Sequence, residues 1–338
     1  MAVPSRSVEH IAMRWKRRPH ESDPSPDSSP TPVERPVVHP LVHVVDEIPE
    51  LGPGERPVLV HALDGFLSAG QAGQVAARHL VASGGGRVVA SFDIDQMYDY
   101  RARRPGLVFD RDHYANYDAP RLLVRLLEDA EGTPYLLLSG PEPDYRWEAF
   151  SAAVRALVER FDVGLVVGMG AVPMGVPHTR PIMITTHASR SDLVDRPNLW
   201  RAQMVVPTSA QSLLELRLGE RGHDAMGYVA HVPHYLAQVE YPTAAVALLS
   251  AVAERTGLRL DLTSLIETAE STLSEIDEQV TEQDGGTVLS NLEEQYDAFA
   301  RGASESLLAT EGPLPTADEL GKQVEEFLAD LDDPGGRD

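Results

Sequence analysis

The sequence predicts an α/β protein: a three-layer α/β/α sandwich with a mixed, mostly parallel sheet, followed by a C-terminal helical hairpin. Three observations carry that expectation. Short apolar runs bounded by turn residues alternate with segments of helical periodicity. The 42% hydrophobic content of the 338 residues is enough for a sizeable core. After Leu260 the pattern changes to a narrow apolar seam set in a strongly acidic background.

Residues 1–38 are expected to be a disordered tail, because ESDPSPDSSPTPVERP offers Pro, Ser and Asp with almost nothing to bury. The body, residues 39–258, shows its first buried strand at 58–63 (VLVHAL). That strand ends in Asp64-Gly65, and Ser68 is placed to N-cap a helix reaching Val81. Gly84-Gly85-Gly86 then turns the chain into a strand at 87–94, and the strand–helix–strand spacing implies a parallel pair. Strand-like segments at 121–128 and 133–139 flank a short turn and predict a hairpin. Phe150, Val154, Leu157 and Phe161 recur at helical steps through 147–161. Residues 164–169, 182–186 and 203–206 read as strands. Ser209 caps a helix at 213–219, 225–231 is a further strand, and 243–256 is a helix closed by Gly257.

The segment 259–302 reads as an acidic helical hairpin. Leu262, Ile266, Ala269, Leu273, Ile276 and Val280 form a heptad seam. Gly285-Gly286 breaks it, and Leu289, Leu292, Tyr296 and Phe299 resume the spacing. Residues 303–338 are a linker and a short amphipathic helix on Leu320, Val324, Phe327 and Leu331.

Composition removes several function classes. With no Cys, there is no disulfide, thiolate metal site or Cys nucleophile. The net charge is −23, and from Leu262 onward 20 Asp/Glu stand against three Lys/Arg. Such a surface repels phosphate backbones and anionic lipid, so neither nucleic acid nor membrane is an expected partner. The N-terminus has no apolar stretch of a secretory signal, and the longest apolar runs, such as 163–172, are too short to span a bilayer; a cytoplasmic location is expected.

Three segments could carry chemistry. In 168–187 (GMGAVPMGVPHTRPIMITTH) a buried strand runs into a Gly/Pro loop, and His178, Thr179 and Arg180 offer a titratable donor, a hydroxyl and a guanidinium fork. It is neither a dinucleotide fingerprint nor a P-loop, and a rigid packing loop explains it equally. In 140–147 (GPEPDYRW), Glu142 and Asp144 could act as acid and base or hold a cation; alternatively Asp144 N-caps the next helix, with Glu142 near its positive end. Asp64, Gly65 and Ser68 form the third set, for which turn formation and capping suffice. His187, His231 and His234 lack the spacing of a metal site, and there is no G-x-S-x-G elbow. No catalytic residue, metal or cofactor is therefore expected.

HALDGFLSAGQAG, YLLLSGPEPDYRWEAF and GMGAVPMGVPHTRPIMITTH, in that order and spacing, resemble the proteasome assembly chaperone 2 family, in its actinobacterial branch. The resemblance covers residues 58–257 and is most specific at GPEPD (140–144) and PHTRP (177–181). It implies a fold similar to purine nucleoside phosphorylases, homo-oligomerisation, and a non-enzymatic role in protein complex assembly. Its implied partners are copies of itself and proteasome-related or other protein subunits. The chain ends LDDPGGRD, without the hydrophobic-Tyr-X motif by which chaperones of this group often dock on proteasomal α rings, so that docking mode is not expected. Two alternatives stay open: a phosphorylase- or hydrolase-like enzyme on a small anionic metabolite, with His178 and Arg180 holding the anion and Glu142 or Asp144 as base, and an acidic scaffold for a basic partner.

Overall fold

The computed structural model describes residues 38–308 except 50, 53, 197–202 and 283–285. The expected tail before Val38, Gly285 of the hairpin turn, and the part of the expected linker and amphipathic helix beyond 308 lie outside the described residues; residues 303–308, expected as linker, continue the last helix.

The elements in chain order are β1 (Val42–Val44), β2 (Val58–Asp64), α1 (Ala72–Gly84), β3 (Arg87–Phe92), β4 (Leu107–Asp110), β5 (His113–Tyr117), β6 (Leu123–Glu128) and β7 (Pro134–Pro141). They continue with α2 (Trp147–Arg160), β8 (Leu165–Met174), β9 (Ile184–Ala188), α3 (Ala210–Glu220), β10 (Ala225–Pro233), α4 (Pro242–Thr256), α5 (Thr263–Glu282) and α6 (Gly286–Leu308). Eight strands form one sheet in the order β1-β3-β6-β7-β2-β8-β10-β9, while β4 and β5 make a separate ribbon. At its centre β7, β2, β8 and β10 pair in parallel. The flanks are antiparallel. Five strands (β3, β7, β2, β8, β10) thus point one way, giving the mixed, mostly parallel sheet the sequence predicts.

One apolar cluster lies on each face. Val60, Leu137, Val167 and Tyr228 meet α1, α4 and α5 on one side. Leu59, Leu138, Val166 and Ala225 meet Phe150, Val154 and Leu157 of α2 and Leu214 and Leu218 of α3 on the other. The central strands bury both faces, which is why they read as continuous apolar runs rather than alternating ones.

Four local expectations are corrected. The segments β2 and β3 do run in one direction, but they are not neighbours, because β7 and β6 lie between them. The short turn at 129–132 makes the β6–β7 hairpin cheap to close, and the twice-buried β7 takes the place beside β2. Residues 203–206 form no strand; Val205 and Val206 are exposed, and Pro207 cannot donate to a ladder. Strand β8 extends to Met174, past the expected end at 169, so Gly170 is a strand residue rather than a loop residue. In α5 the buried positions are Leu265, Ala269 and Ile276; Ile266 is 41% exposed. Leu262, Leu273 and Val280 pack against the same cluster, so the expected seam holds at every position but Ile266, whose place toward α4 is taken by Leu265.

Candidate functional site

The end of β2 and the loop after β7 form one hydrogen-bonded unit. Glu142, 9% exposed, accepts from the Phe66 N–H through Oε2 at 2.8 Å and from the Ala210 N–H through Oε1 at 2.6 Å. It therefore joins the turn after β2 to the first residue of α3, where a carboxylate is favoured by the helix dipole. Gly65 lies directly against this side chain: a Cβ there would overlap Glu142 Oε2. Arg103 completes the unit. Its Nη2 donates to Glu142 O and Asp144 Oδ2, both at 2.6 Å, and its Nη1 donates to Asp64 O at 3.3 Å. The guanidinium also sits 4.5 Å from the Tyr98 ring centre.

Two capping assignments are corrected here. Ser68 does not cap α1. A 3₁₀ turn at Ala69–Gln71 intervenes, and Ser68 Oγ accepts from the Gly65 N–H at 2.8 Å, closing the turn after β2. Asp144 does not cap α2, whose N-cap is Arg146 at φ 62°; its Oδ2 accepts from the Asp99 N–H at 2.6 Å instead. The helix whose positive end holds Glu142 is α3, not α2. In each case a nearby backbone donor outside the helix took the side-chain oxygen.

His178, Thr179 and Arg180 lie in a different arrangement. The His178 ring is buried between Tyr235, whose hydroxyl is 2.7 Å from Nδ1, and Asp277 of α5, whose Oδ1 is 2.8 Å from Nε2. The His178 N–H donates to the Tyr235 oxygen at 3.0 Å. A neutral ring with its proton on Nε2 satisfies all three contacts. Thr179 donates to Glu293 of α6. Arg180 grips Asp297 through Nε and Nη2, both at 2.9 Å, and reaches Glu293 at 3.1 Å. Tyr296 donates back to Pro181 O at 2.8 Å. The PHTRP loop is thus a clasp for α5 and α6. These hydrogen bonds hold the Arg180 guanidinium protonated more firmly than usual and lower the Asp297 carboxyl.

Among the described residues no hydrogen bond or ion pair joins the two groups. Asp64, Gly65, Ser68, Glu142 and Asp144 converge; His178, Thr179 and Arg180 do not join them. Arg103, Tyr235 and Asp297 were not singled out from sequence, and Asp277 and Glu293 were read only as part of the acidic face of the hairpin. Arg103 follows one of several Arg-rich turns, and nothing in its spacing sets it apart.

A polar row also crosses the sheet on its α3 side. His61, Gly168, Gly227 and His187 stand in register on β2, β8, β10 and β9. The two rings lie over the two glycines, with His61 Cε1 2.8 Å from where a Gly168 Cβ would stand. Glu215 holds His187 Nδ1 at 2.8 Å. Burial, with His187 nearby, pushes the His61 imidazole down to about 4. Among the described residues no three His, Asp or Glu side chains are grouped to hold a metal ion, and no helix is long and apolar enough to cross a membrane.

The PAC2 family profile matches residues 62–280, which includes both loops and most of α5. The chain belongs to the PAC2 family. No curated protein sequence matches it. Among solved structures it is similar to a Mycobacterium tuberculosis protein of unknown function, with 44% identity, TM-score 0.75, and 79% of this chain and 92% of that one covered. A Corynebacterium glutamicum protein of unknown function is 37% identical, with TM-score 0.72, covering 76% of this chain and 97% of that one. A proteasome-assembly chaperone homologue from M. tuberculosis is 27% identical, with TM-score 0.63, covering 67% of this chain and 96% of that one. The PAC2 resemblance read from the motifs, and its actinobacterial character, hold.

Proposed function

We propose that this PAC2 protein works by binding other proteins during complex assembly, in the manner of an assembly chaperone, and not as an enzyme. The observation that carries this reading is the fate of its most specific motif. The PHTRP side chains hold α5 and α6 in place instead of facing a substrate, and the GPEPD carboxylates hold backbone and Arg103. The likeness to a proteasome-assembly chaperone homologue supports proteasomal subunits as clients.

Self-association belongs to the same reading. Among the described residues the β4–β5 ribbon pairs with no other strand, and it exposes Phe109 (60%) and Tyr114 (72%). A lone two-stranded ribbon is marginal in water, and covering it by another subunit would stabilise it. The acidic face of α5 and α6, with Glu270, Glu275, Glu278 and Glu294 exposed, is proposed as a second contact surface, for a basic partner.

The test is reconstitution. Proteasome α and β subunits from the same host are mixed with and without the full chain, and particle formation is followed on native gels, with light scattering on the chain alone. Faster assembly, or a stable complex with α subunits, supports the proposal. Unchanged assembly with no complex refutes the client, and a monomer at micromolar concentration refutes self-association.

A further inference from the structure

Beside α1, a groove of about 470 Å³ opens over the ends of β2, β6 and β7. It falls within the volume range of small-ligand sites. Ala62, Ala77, Ala82 and Pro141 give it small apolar walls, and its polar lining is Asp64, Gln74, Arg78, Arg121, Arg125 and Ser139.

The arginines are the unusual part. Arg78 is neutralised by Glu240 at 2.6 Å. On β6, Arg125 projects to the α1 side, the face of its register partner Leu137, between Val124 and Leu126, which point the other way. Among the described residues its side chain makes one hydrogen bond, a long contact from Nη1 to Ser139 Oγ, 3.4 Å. Neither Arg121 nor Arg125 has a carboxylate partner among the described residues, in a chain with 52 Asp/Glu against 29 Lys/Arg. Burial, and after it the charge of Arg121, lower the pKa of Arg125. Two unneutralised cations lining one groove repel each other, and an anion bound there removes that cost. The guanidinium fork fits phosphate and carboxylate oxygens bidentately. At the other end, Asp64 Oδ1 accepts from Gln74 Nε2 at 2.6 Å, which leaves Oδ2 free to accept from a ligand.

We propose that this groove binds a small organic anion, its phosphate or carboxylate held by Arg121 and Arg125 and its hydroxyls reaching Asp64. The site uses none of the residues of the α5–α6 clasp. The assembly reading and this one therefore fail independently.

The experiment measures thermal shift and calorimetric binding on the full chain, at ionic strength matched with sodium chloride. The probes are inorganic phosphate, ribose 5-phosphate, ribonate and ribose. Ribose 5-phosphate or ribonate should stabilise the chain saturably, the stronger of the two showing whether phosphate or carboxylate is preferred. Inorganic phosphate should bind more weakly, and ribose not at all. Arg121→Gln and Arg125→Gln should each weaken binding by at least about tenfold, the loss of one charge-assisted fork. Neither should lower the melting temperature of the free chain, since each removes a repulsion. Arg121 is exposed, so its variant carries the test if Arg125→Gln fails to fold. Asp64→Asn should weaken ribose 5-phosphate but leave inorganic phosphate unchanged. No response to any anion, a response reproduced by sodium chloride, or undiminished binding in both arginine variants overturns the proposal.

Discussion

Glu142→Ala tests whether the most buried acid of the candidate site is an anchor or a reagent. The side chain accepts two backbone N–H groups, and Ala210 is wholly buried. Removing the carboxylate strands the Ala210 donor at about 1–3 kcal/mol, and the Phe66 donor, nearer the surface, at the lower end of that range. Loss of an anion at the first turn of α3 adds about 0.3–1 kcal/mol. The expected total is about 3 kcal/mol, read as a lower urea midpoint at unchanged slope. Glu142→Gln keeps one acceptor but turns an amide NH₂ toward the other N–H, so it should lose roughly half as much. Amide exchange should quicken at Phe66 and Ala210 in particular. If both variants stay within about 0.5 kcal/mol of the parent, the anchoring argument is wrong and a chemical role for Glu142 regains ground.

Three further outcomes are expected. His61 titrates near 4 in the fold and near 6.5 when unfolded, so the unfolded chain takes up its proton first as pH falls. Stability present above pH 6.5 should decline through pH 4 by about 3 kcal/mol from this residue, with burial of His231 acting in the same direction; His61→Gln should flatten urea midpoints measured between pH 7 and 4. Gly227→Ala should cost about 1–3 kcal/mol, because the new methyl meets the His187 ring, and should loosen the His187–Glu215 pair, seen as displaced His187 ring resonances by NMR at constant pH. Ile276→Ala should cost about 2–3 kcal/mol, while Arg180→Ala, whose ion pairs are partly exposed, should speed amide exchange in α6 with little change in the melting of the body; equal loss of protection across the whole sheet in Arg180→Ala would contradict the clasp.

The segments whose periodicity agrees with their final environment were legible from sequence. Strands β2, β7, β8 and β10 are runs such as VLVHAL and YLLLSG, which need cover on both faces and so belong at the centre of a layered sheet. Ser209 does cap α3, accepting from the Ser212 N–H, because only a short local hydrogen bond is involved. Where a side chain had a choice of partners, local reading failed. Asp144 and Ser68 both had a helix within reach and bonded elsewhere, to donors brought in by Asp99 and Gly65.

By itself the sequence determined the α/β layering, the family and the acidic character of the last helices, because each depends on composition or on periodicity along a single element. Only the tertiary structure decided which loops share a site. His178 finds Asp277 and Arg180 finds Asp297, at separations of 99 and 117 residues, and Arg103 meets Asp144 across 41. Those pairings follow from where α5, α6 and the turn after β3 come to rest. The packing of apolar faces sets those positions, and the charged side chains then pair with whatever the packing brings within reach.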